Sequence, residues 1–343
     1  MILITGGTGY IASHTIVELQ RAGHEVVALD NLSNSSPLSL DRVAKISGIK
    51  PAFVEGDVRD KALLQSIFTN YKIEAVIHFA GLKSVGESNS MPIEYYQNNV
   101  AGTLTLCEVM AEFECKKLVF SSSATVYGDP ASVPIDESFP LSTTNPYGRS
   151  KLIVEEMLKD LSVSDSFNDS QNPWSISLLR YFNPVGAHES GLIGEDPRGI
   201  PNNLMPYISK VASGQLAELG VFGNNYNTND GTGVRDYIHV VDLAKGHVKA
   251  LEHLLQNKGV GCKAYNLGTG CGVSVLEAIS AFESSNDVVV PYSFKNRRAG
   301  DIAECYADAS LAKKELNWEA EKNLADMVSS AWNWQKNNPE GYK

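Results

Sequence analysis

The sequence predicts an α/β fold built on a doubly wound parallel sheet, with a smaller lobe toward the C-terminus. Three observations carry that expectation. Short apolar runs alternate with amphipathic stretches through the first half of the chain, a glycine-rich turn follows the first run, and the texture changes near residue 183. Strands alternating with helices form βαβ units whose sheet is covered on both faces. Right-handed crossovers then place ligand-binding loops at the carboxyl ends of the strands.

Buried strands are expected at residues 1–5, 25–29, 51–54, 75–79, 117–121 and 175–181, with helices at 12–22, 61–71, 92–112 and 146–161. Residues 184–206 are rich in Gly, Pro and Asn and lack periodicity, so they read as a binding loop. Residues 235–250 (RDYIHVVDLAKGHVKA) return to a strand–helix pattern. The expected division is a cofactor-binding domain at 1–183, rejoined by about 235–255, and a substrate-binding lobe at 184–343. A chain of 343 residues is long enough for both.

A hydrophobic fraction of 43% with 20% charged residues excludes disordered and fibrous classes. No apolar stretch is long enough to span a bilayer, and the chain opens on an apolar run without a basic targeting segment. A cytoplasmic location is therefore expected. The net charge of −11 argues against nucleic acid or anionic membranes as partners, while leaving room for a small anion held by local arginines. Five cysteines without a Cys-x-x-Cys pair suit reduced thiols, and seven histidines without metal-motif spacing lead us to expect no metal.

The turn TGGTGYIA at 5–12 follows the first strand and opens the first helix. Gly6 and Gly9 allow the tight turn and close backbone approach to a pyrophosphate, which the helix N-terminus then stabilises. A plain turn is the bland alternative, but the strand–turn–helix context favours dinucleotide binding on a Rossmann-like sheet. Asp30 ends the second strand at the spacing where a carboxylate accepts from adenine ribose hydroxyls. It would repel a 2′-phosphate, so NAD is preferred over NADP. Asp57 ends the third strand and either touches the adenine or caps the next helix.

Tyr147 and Lys151 stand four apart on a helix beginning near Pro146, hence on one face. Alone, the pair reads as a solvated surface. Ser121, Ser122 and Ser123 at the fifth strand's end shift that balance, because such ends line the cofactor crevice. Oxidising a sugar hydroxyl requires its proton to leave with the hydride. A free phenol titrates near about 10, and bringing it to neutrality takes roughly 4 kcal/mol. A lysine ammonium and a positive nicotinamide ring can supply this in a desolvated crevice. Ser123 can donate to the sugar oxygen and relay the proton.

Beyond these groups, the sequence resembles the extended short-chain dehydrogenases, and among them the UDP-glucose 4-epimerases, over essentially the whole chain. The resemblance rests on TGGTGYIASH (5–14), LDNLSNS (29–35), EGDVRD (55–60), HFAGLKSVGES (78–88), NNVAGT (98–103), FSSSATVYGD (120–129), NPYGRSK (145–151), LRYFNPVGAH (179–188), GIPNNLMPY (199–207) and GTGVRDYIHVVDLA (231–244). It implies NAD contacts at Tyr10, Ile11, Asp30, Asn31, Asn34, Ser35, Asp57, Val58, Phe79, Ala80, Gly81, Lys83, Asn98, Tyr147, Lys151 and Phe182. It puts Ser123, Tyr147 and Lys151 at the reacting sugar. Asn183, Asn203, Leu204, Phe222, Arg235, Arg298 and Asp301 would hold a UDP-sugar, the arginines through forked bonds to pyrophosphate. The implied reaction interconverts UDP-galactose and UDP-glucose through a transient 4-keto sugar with NAD retained. The resemblance further implies a homodimer joined through the helices at 92–112 and 146–161.

Two departures matter. Ala12 stands where the third glycine of the turn is usual, adding one methyl at a helix–strand contact. Cys305 stands where some relatives carry a bulky tyrosine beside the sugar, so an N-acetyl group on UDP-GlcNAc or UDP-GalNAc gains room; simple buried packing is the alternative. A nucleotide-sugar 4,6-dehydratase is the nearest other reading. Those enzymes resemble one another in an Asp-Glu pair after the strand-end hydroxyl, whereas Ala124 and Thr125 stand here.

Overall fold

The computed structural model describes residues 1–168, 170–298 and 300–343. All four residues of β1 (Ile2–Thr5) are buried, as a central parallel strand requires. The chain continues through α1 (Tyr10–Arg21), β2 (Val26–Asp30), α2 (Leu38–Ser47), β3 (Ala52–Glu55), α3 (Lys61–Asn70) and β4 (Ala75–His78). Two short helices follow, α4 (Val85–Ser90) and α5 (Pro92–Tyr95); α5 runs through a π-helical turn at Tyr96–Ala101 into α6 (Gly102–Glu112). β5 (Lys117–Ser123), a 3-10 turn at Ala124–Tyr127, α7 (Pro146–Phe167) and β6 (Ser175–Tyr181) complete the first half.

The second half holds β7 (Asn183–Val185), α8 (Leu204–Ala212), β8 (Leu219–Phe222), β9 (Val234–His239), α9 (Val240–Gln256) and β10 (Gly261–Leu267). It ends with β11 (Gly272–Ser274), α10 (Val275–Asn286), β12 (Tyr292–Lys295), β13 (Glu304–Cys305), α11 (Ser310–Leu316) and α12 (Leu324–Asn337).

Seven strands form one parallel sheet in the order β3-β2-β1-β4-β5-β6-β10. The direction of winding reverses between β1 and β4, which opens a crevice at their carboxyl ends. Ile16 of α1 and Leu243 and Leu251 of α9 cover one face, while Leu64, Leu106 and Val154 of α3, α6 and α7 cover the other. A separate core joins α8, α10 and α12 to β8 and β9. A small fourth cluster of Ala124, Val126, Tyr127, Ile135, Phe182, Cys305 and Ala307 sits where the two parts meet.

The stretch at 235–250 divides its allegiance. Its strand, β9, pairs with β7, β11 and β13, whereas α9 packs against α1 on the main sheet. The edge strand β10 falls in the stretch assigned to the substrate-binding lobe but pairs with β6 in the main sheet; its first four residues are only half-buried, so it lacks the apolar run of the inner strands. The single helix expected at 92–112 is interrupted by the π turn. Among the described residues no helix is long and apolar enough to cross a membrane.

Candidate active site

The glycine turn is packed too tightly for side chains. Gly6 has φ +68°, and a Cβ there would lie 2.8 Å from the Ala80 nitrogen; one on Gly7 would lie 2.5 Å from the Ala28 Cβ. Gly9 is the N-cap of α1 and supplies no side-chain acceptor, so the first-turn N–H groups at Tyr10 and Ile11 remain available to an anion. Ala12 is buried in the core, where its methyl is accommodated. The Asp30 carboxylate accepts from Thr8 N (3.1 Å), Leu32 N (2.8 Å) and Ser35 Oγ (2.9 Å), which fixes the loop beside it.

Further along the strand ends, Asn31 Nδ2 donates to Asp57 at 3.1 Å. Asp57 also takes a forked pair of bonds from Arg59, which holds its carboxyl well below the usual range. Asp57 is not the helix cap; Asp60 fills that role by accepting from Leu63 N. Val58 is buried and Asn34 exposed. Ala80 N donates to Thr5 Oγ1 at 3.3 Å, so Phe79, Ala80 and Gly81 run close past the glycine turn. Asn98 Nδ2 donates to Asn99 Oδ1, and Phe182 N to the Leu267 carbonyl. The uncapped helix start, the side-chain-free turn and the strand-end carboxylate together fit a dinucleotide.

Ser123 ends β5 and caps the 3-10 turn, accepting from Thr125 N (3.2 Å) and Thr125 Oγ1 (3.0 Å). Asn145 caps α7 by accepting from Gly148 N at 2.9 Å, with Pro146 in the first turn. This start sets the Tyr147 phenol near Ser123. Lys151, one turn on, is buried and donates to the Ser121 carbonyl at 2.7 Å. A Cβ on Gly81 would lie 3.6 Å from its Nζ, so the ammonium adjoins the cofactor loop. Burial brings the Lys151 pKa down to about 8, opposed by Glu155. Burial also raises the Tyr147 pKa, opposed by the Ser123 hydrogen bond. The depressed phenol expected from the sequence is therefore not produced by the chain's own groups, because desolvation outweighs them.

Lys83 apart, the remaining predicted residues belong to the second half of the chain. Arg235 on β9 is 3.9 Å from Asp301 and donates to the Val234 carbonyl. The Arg298 guanidinium stacks 3.8 Å from the centre of the Phe222 ring, and Arg297 stacks on Tyr226 at 4.0 Å. Asn183 is exposed, and Leu204 begins α8 with Asn203 as its N-cap. Asn203 Nδ2 and Lys83 Nζ both donate to Glu195 Oε1, at 2.7 and 3.4 Å. Cys305 is paired in register with Arg235 and packs in the cluster with Ala124 and Phe182, adjacent to Ser123.

Sequence reasoning missed the supports of this site. Asn99 is buried and links Leu82, through its N–H and carbonyl, to Ser150 Oγ behind Tyr147. Glu155 accepts from Ser122 Oγ (2.6 Å), Arg180 Nε (2.9 Å) and Arg180 Nη2 (2.5 Å). Arg180 in turn donates to Tyr127 Oη, which donates to Asn266. A charge inside the apolar run SISLLRYF was a signal, since a buried arginine demands a partner. The i, i+4 step from Lys151 to Glu155 was another.

A parallel sheet with this glycine turn and this Ser, Tyr and Lys cluster defines a dinucleotide-dependent α/β enzyme. The chain belongs to the NAD dependent epimerase/dehydratase family, whose profile matches residues 2–268. It is 59% identical over 342 residues to the UDP-glucose 4-epimerase of Bacillus subtilis, covering 100% of this chain and 98% of that protein. Its structure matches that of the UDP-glucose 4-epimerase from Bifidobacterium longum in complex with NAD+ and UDP, with TM-score 0.94, 56% identity and 99% of each chain covered. It also matches the UDP-Glc/GlcNAc 4-epimerase from Campylobacter jejuni, with TM-score 0.83, 35% identity, and 98% and 99% of the two chains covered.

Proposed function

We propose that the protein interconverts UDP-galactose and UDP-glucose by inverting the configuration at C4 of the sugar. The observation that carries this reading is the buried Lys151 ammonium, which donates to the Ser121 carbonyl at the end of β5 and adjoins Gly81, one helical turn from Tyr147 and beside the strand end that holds Ser123. Gly6, Gly9, Tyr10 and Ile11 would face the NAD pyrophosphate and Asp30 the adenine ribose. Asn31, Asn34, Ser35, Asp57, Val58, Phe79, Ala80, Gly81, Lys83, Asn98 and Phe182 line its course along the strand ends. When bound, NAD would supply reversible hydride acceptance at the sugar C4 and a positive charge in the crevice.

The chain's own part is proton and position control. Tyr147 Oη accepts the proton of the 4-hydroxyl and later gives it back; Ser123 Oγ holds the sugar oxygen during both transfers. Lys151 contributes a desolvated positive charge that favours the phenolate, against the burial that disfavours it. Arg235 and Arg298 suit the pyrophosphate, Phe222 the uracil, and Asn183, Asn203, Leu204 and Asp301 the rest of the nucleotide sugar. After oxidation at C4 the 4-keto sugar turns over in the pocket and presents its other face. Ala124 and Thr125 carry no carboxyl for eliminating water, which sets the reaction apart from dehydration.

Cys305 is small, and we extend the substrate range to UDP-GalNAc and UDP-GlcNAc on that ground. Ile93, Leu104 and Ile153 are exposed on α5, α6 and α7, a face suited to a second copy of the chain as a homodimer. Five free cysteines fit a reducing, cytoplasmic location. A coupled assay tests the main reading: purified protein given UDP-galactose without added NAD forms UDP-glucose. No UDP-glucose, with or without added NAD, refutes it.

A further inference from the structure

The segment from Gly186 to Asn203 crosses from the substrate side and touches three strand-end loops in turn. Tyr10 Oη, at the start of α1, donates to the Gly186 carbonyl at 2.6 Å. In the loop after β4, Lys83 Nζ donates to Glu195 Oε1 at 3.4 Å. Arg198, 163 or more residues away in sequence, reaches the loop after β2. Its Nη1 donates to the Ser33 carbonyl at 2.8 Å, and its Nη2 to the carbonyls of Leu32 (3.1 Å) and Ser35 (2.9 Å). Trp334 Nε1 donates to the Glu195 carbonyl at 3.1 Å, anchoring the middle of the segment to α12.

The β2 loop is built to receive a guanidinium. Leu32 has φ +57°, a left-handed conformation that bends the loop, and the three carbonyls converge on one side chain. A planar fork can satisfy all three at once, where a lysine would act as a point charge with less directional fit. The clasp reaches the cofactor side through Ser35, whose Oγ donates to Asp30 Oδ1 (2.9 Å) and accepts from Thr8 Oγ1 (2.6 Å). Arg198 thus secures the loop that holds Asp30, and does so from outside the catalytic cluster.

We propose that Arg198 is a positioning residue that retains the dinucleotide, its guanidinium clasping the β2 loop so that the 186–203 segment stays down across the adenosine end of the crevice. This rests on the reading that NAD lies along the glycine turn and Asp30. The hydride and proton steps do not involve Arg198, so its loss acts on cofactor residence and not on turnover of the loaded enzyme.

The experiment compares wild type, Arg198→Ala and Arg198→Lys. Each is gel-filtered in NAD-free buffer and denatured for nucleotide quantification, then assayed with UDP-galactose with and without excess NAD. Arg198→Ala is expected to release NAD about tenfold faster or more, as loss of charge-assisted bonds implies. Its turnover without NAD falls, and excess NAD restores kcat to within about twofold of wild type with KM for UDP-galactose unchanged. Arg198→Lys lies between the two. The proposal is overturned if Arg198→Ala keeps NAD as long as wild type, or if added NAD fails to restore its kcat. A wild type that yields no nucleotide on denaturation and is inactive with or without added NAD overturns the cofactor placement itself, a different result from either.

Discussion

Glu155 and Arg180 form a buried ion pair, with Arg180 Nε and Nη2 reaching the two carboxylate oxygens at 2.9 and 2.5 Å. The pair joins α7 to β6, and Ser122 Oγ adds β5 through its bond to Glu155 Oε1. It lies one helical turn beyond Lys151, so the helix that carries Tyr147 and Lys151 is fastened to the two strands beneath it. Removing one partner strands the other charge in the core. Glu155→Gln is expected to lower unfolding free energy by about 3–5 kcal/mol in urea titration. Glu155→Gln combined with Arg180→Met is expected to recover part of that loss. A single variant within about 0.5 kcal/mol of wild type contradicts the assignment.

In the proposed reaction the Tyr147 hydroxyl exchanges a proton with the substrate, and Tyr147→Phe removes that hydroxyl while leaving the ring. Turnover is expected to fall by roughly 10²–10⁴-fold, while NAD content and thermal unfolding stay near wild type. Unchanged turnover would assign the proton transfer to another group.

The burial of Lys151 sets a pH dependence. Its pKa is held down to about 8 from the ordinary 10.5. Between those values the unfolded chain binds more protons than the folded one at this position. Stability from this residue therefore rises with pH across the window, and the cost of burying the ammonium is greatest below pH 8. Cofactor-free wild type and Lys151→Met compared in urea at pH 8 and 10 should diverge. The wild type is expected to gain about 2 kcal/mol relative to the variant. Equal differences at the two pH values would mean that Lys151 is not desolvated as described.

The main sheet and the placement of Ser123, Tyr147 and Lys151 were legible because both rest on local signals. Buried strands such as Ile2–Thr5 read as apolar runs, and Tyr147 and Lys151 carry helical spacing next to a strand-end serine. What the sequence hid depends on contacts between distant segments. β10 reads as a half-polar stretch, and only its pairing with β6 makes it part of the sheet. Asn99 looks like any helix amide until the π turn and Leu82 give it a role. The direction of the Tyr147 shift also needed the fold, since desolvation is set by neighbours that the sequence does not place beside it.

Cys305 packs in the buried cluster that includes Ala124 and Phe182, and the proposed function sets it beside the sugar. If its size governs the room for an acetamido group, wild type converts UDP-GalNAc, while Cys305→Tyr loses that activity and keeps conversion of UDP-galactose. The larger ring also overpacks the cluster, at a cost of about 1–3 kcal/mol, which thermal unfolding will report. Refusal of both acetylated sugars by wild type, or their equal use by Cys305→Tyr, removes the thiol from the account of specificity.

The exposed apolar residues of α5, α6 and α7 predict self-association. Leu104 is half exposed at 50%, Ile93 at 74% and Ile153 at 36%, and α6 and α7 turn their other faces to the sheet. Burying such a face against its own copy is favourable at about 25 cal/mol per Å² of apolar surface, and a two-fold axis would let each side chain meet its neighbour's equivalent. Charges placed there would face like charges across the axis. Leu104→Glu with Ile153→Glu is therefore expected to convert a dimer into monomers in light scattering while circular dichroism stays unchanged. A wild type that is already monomeric at micromolar concentration, or a double variant that remains dimeric, rules this face out as the joint.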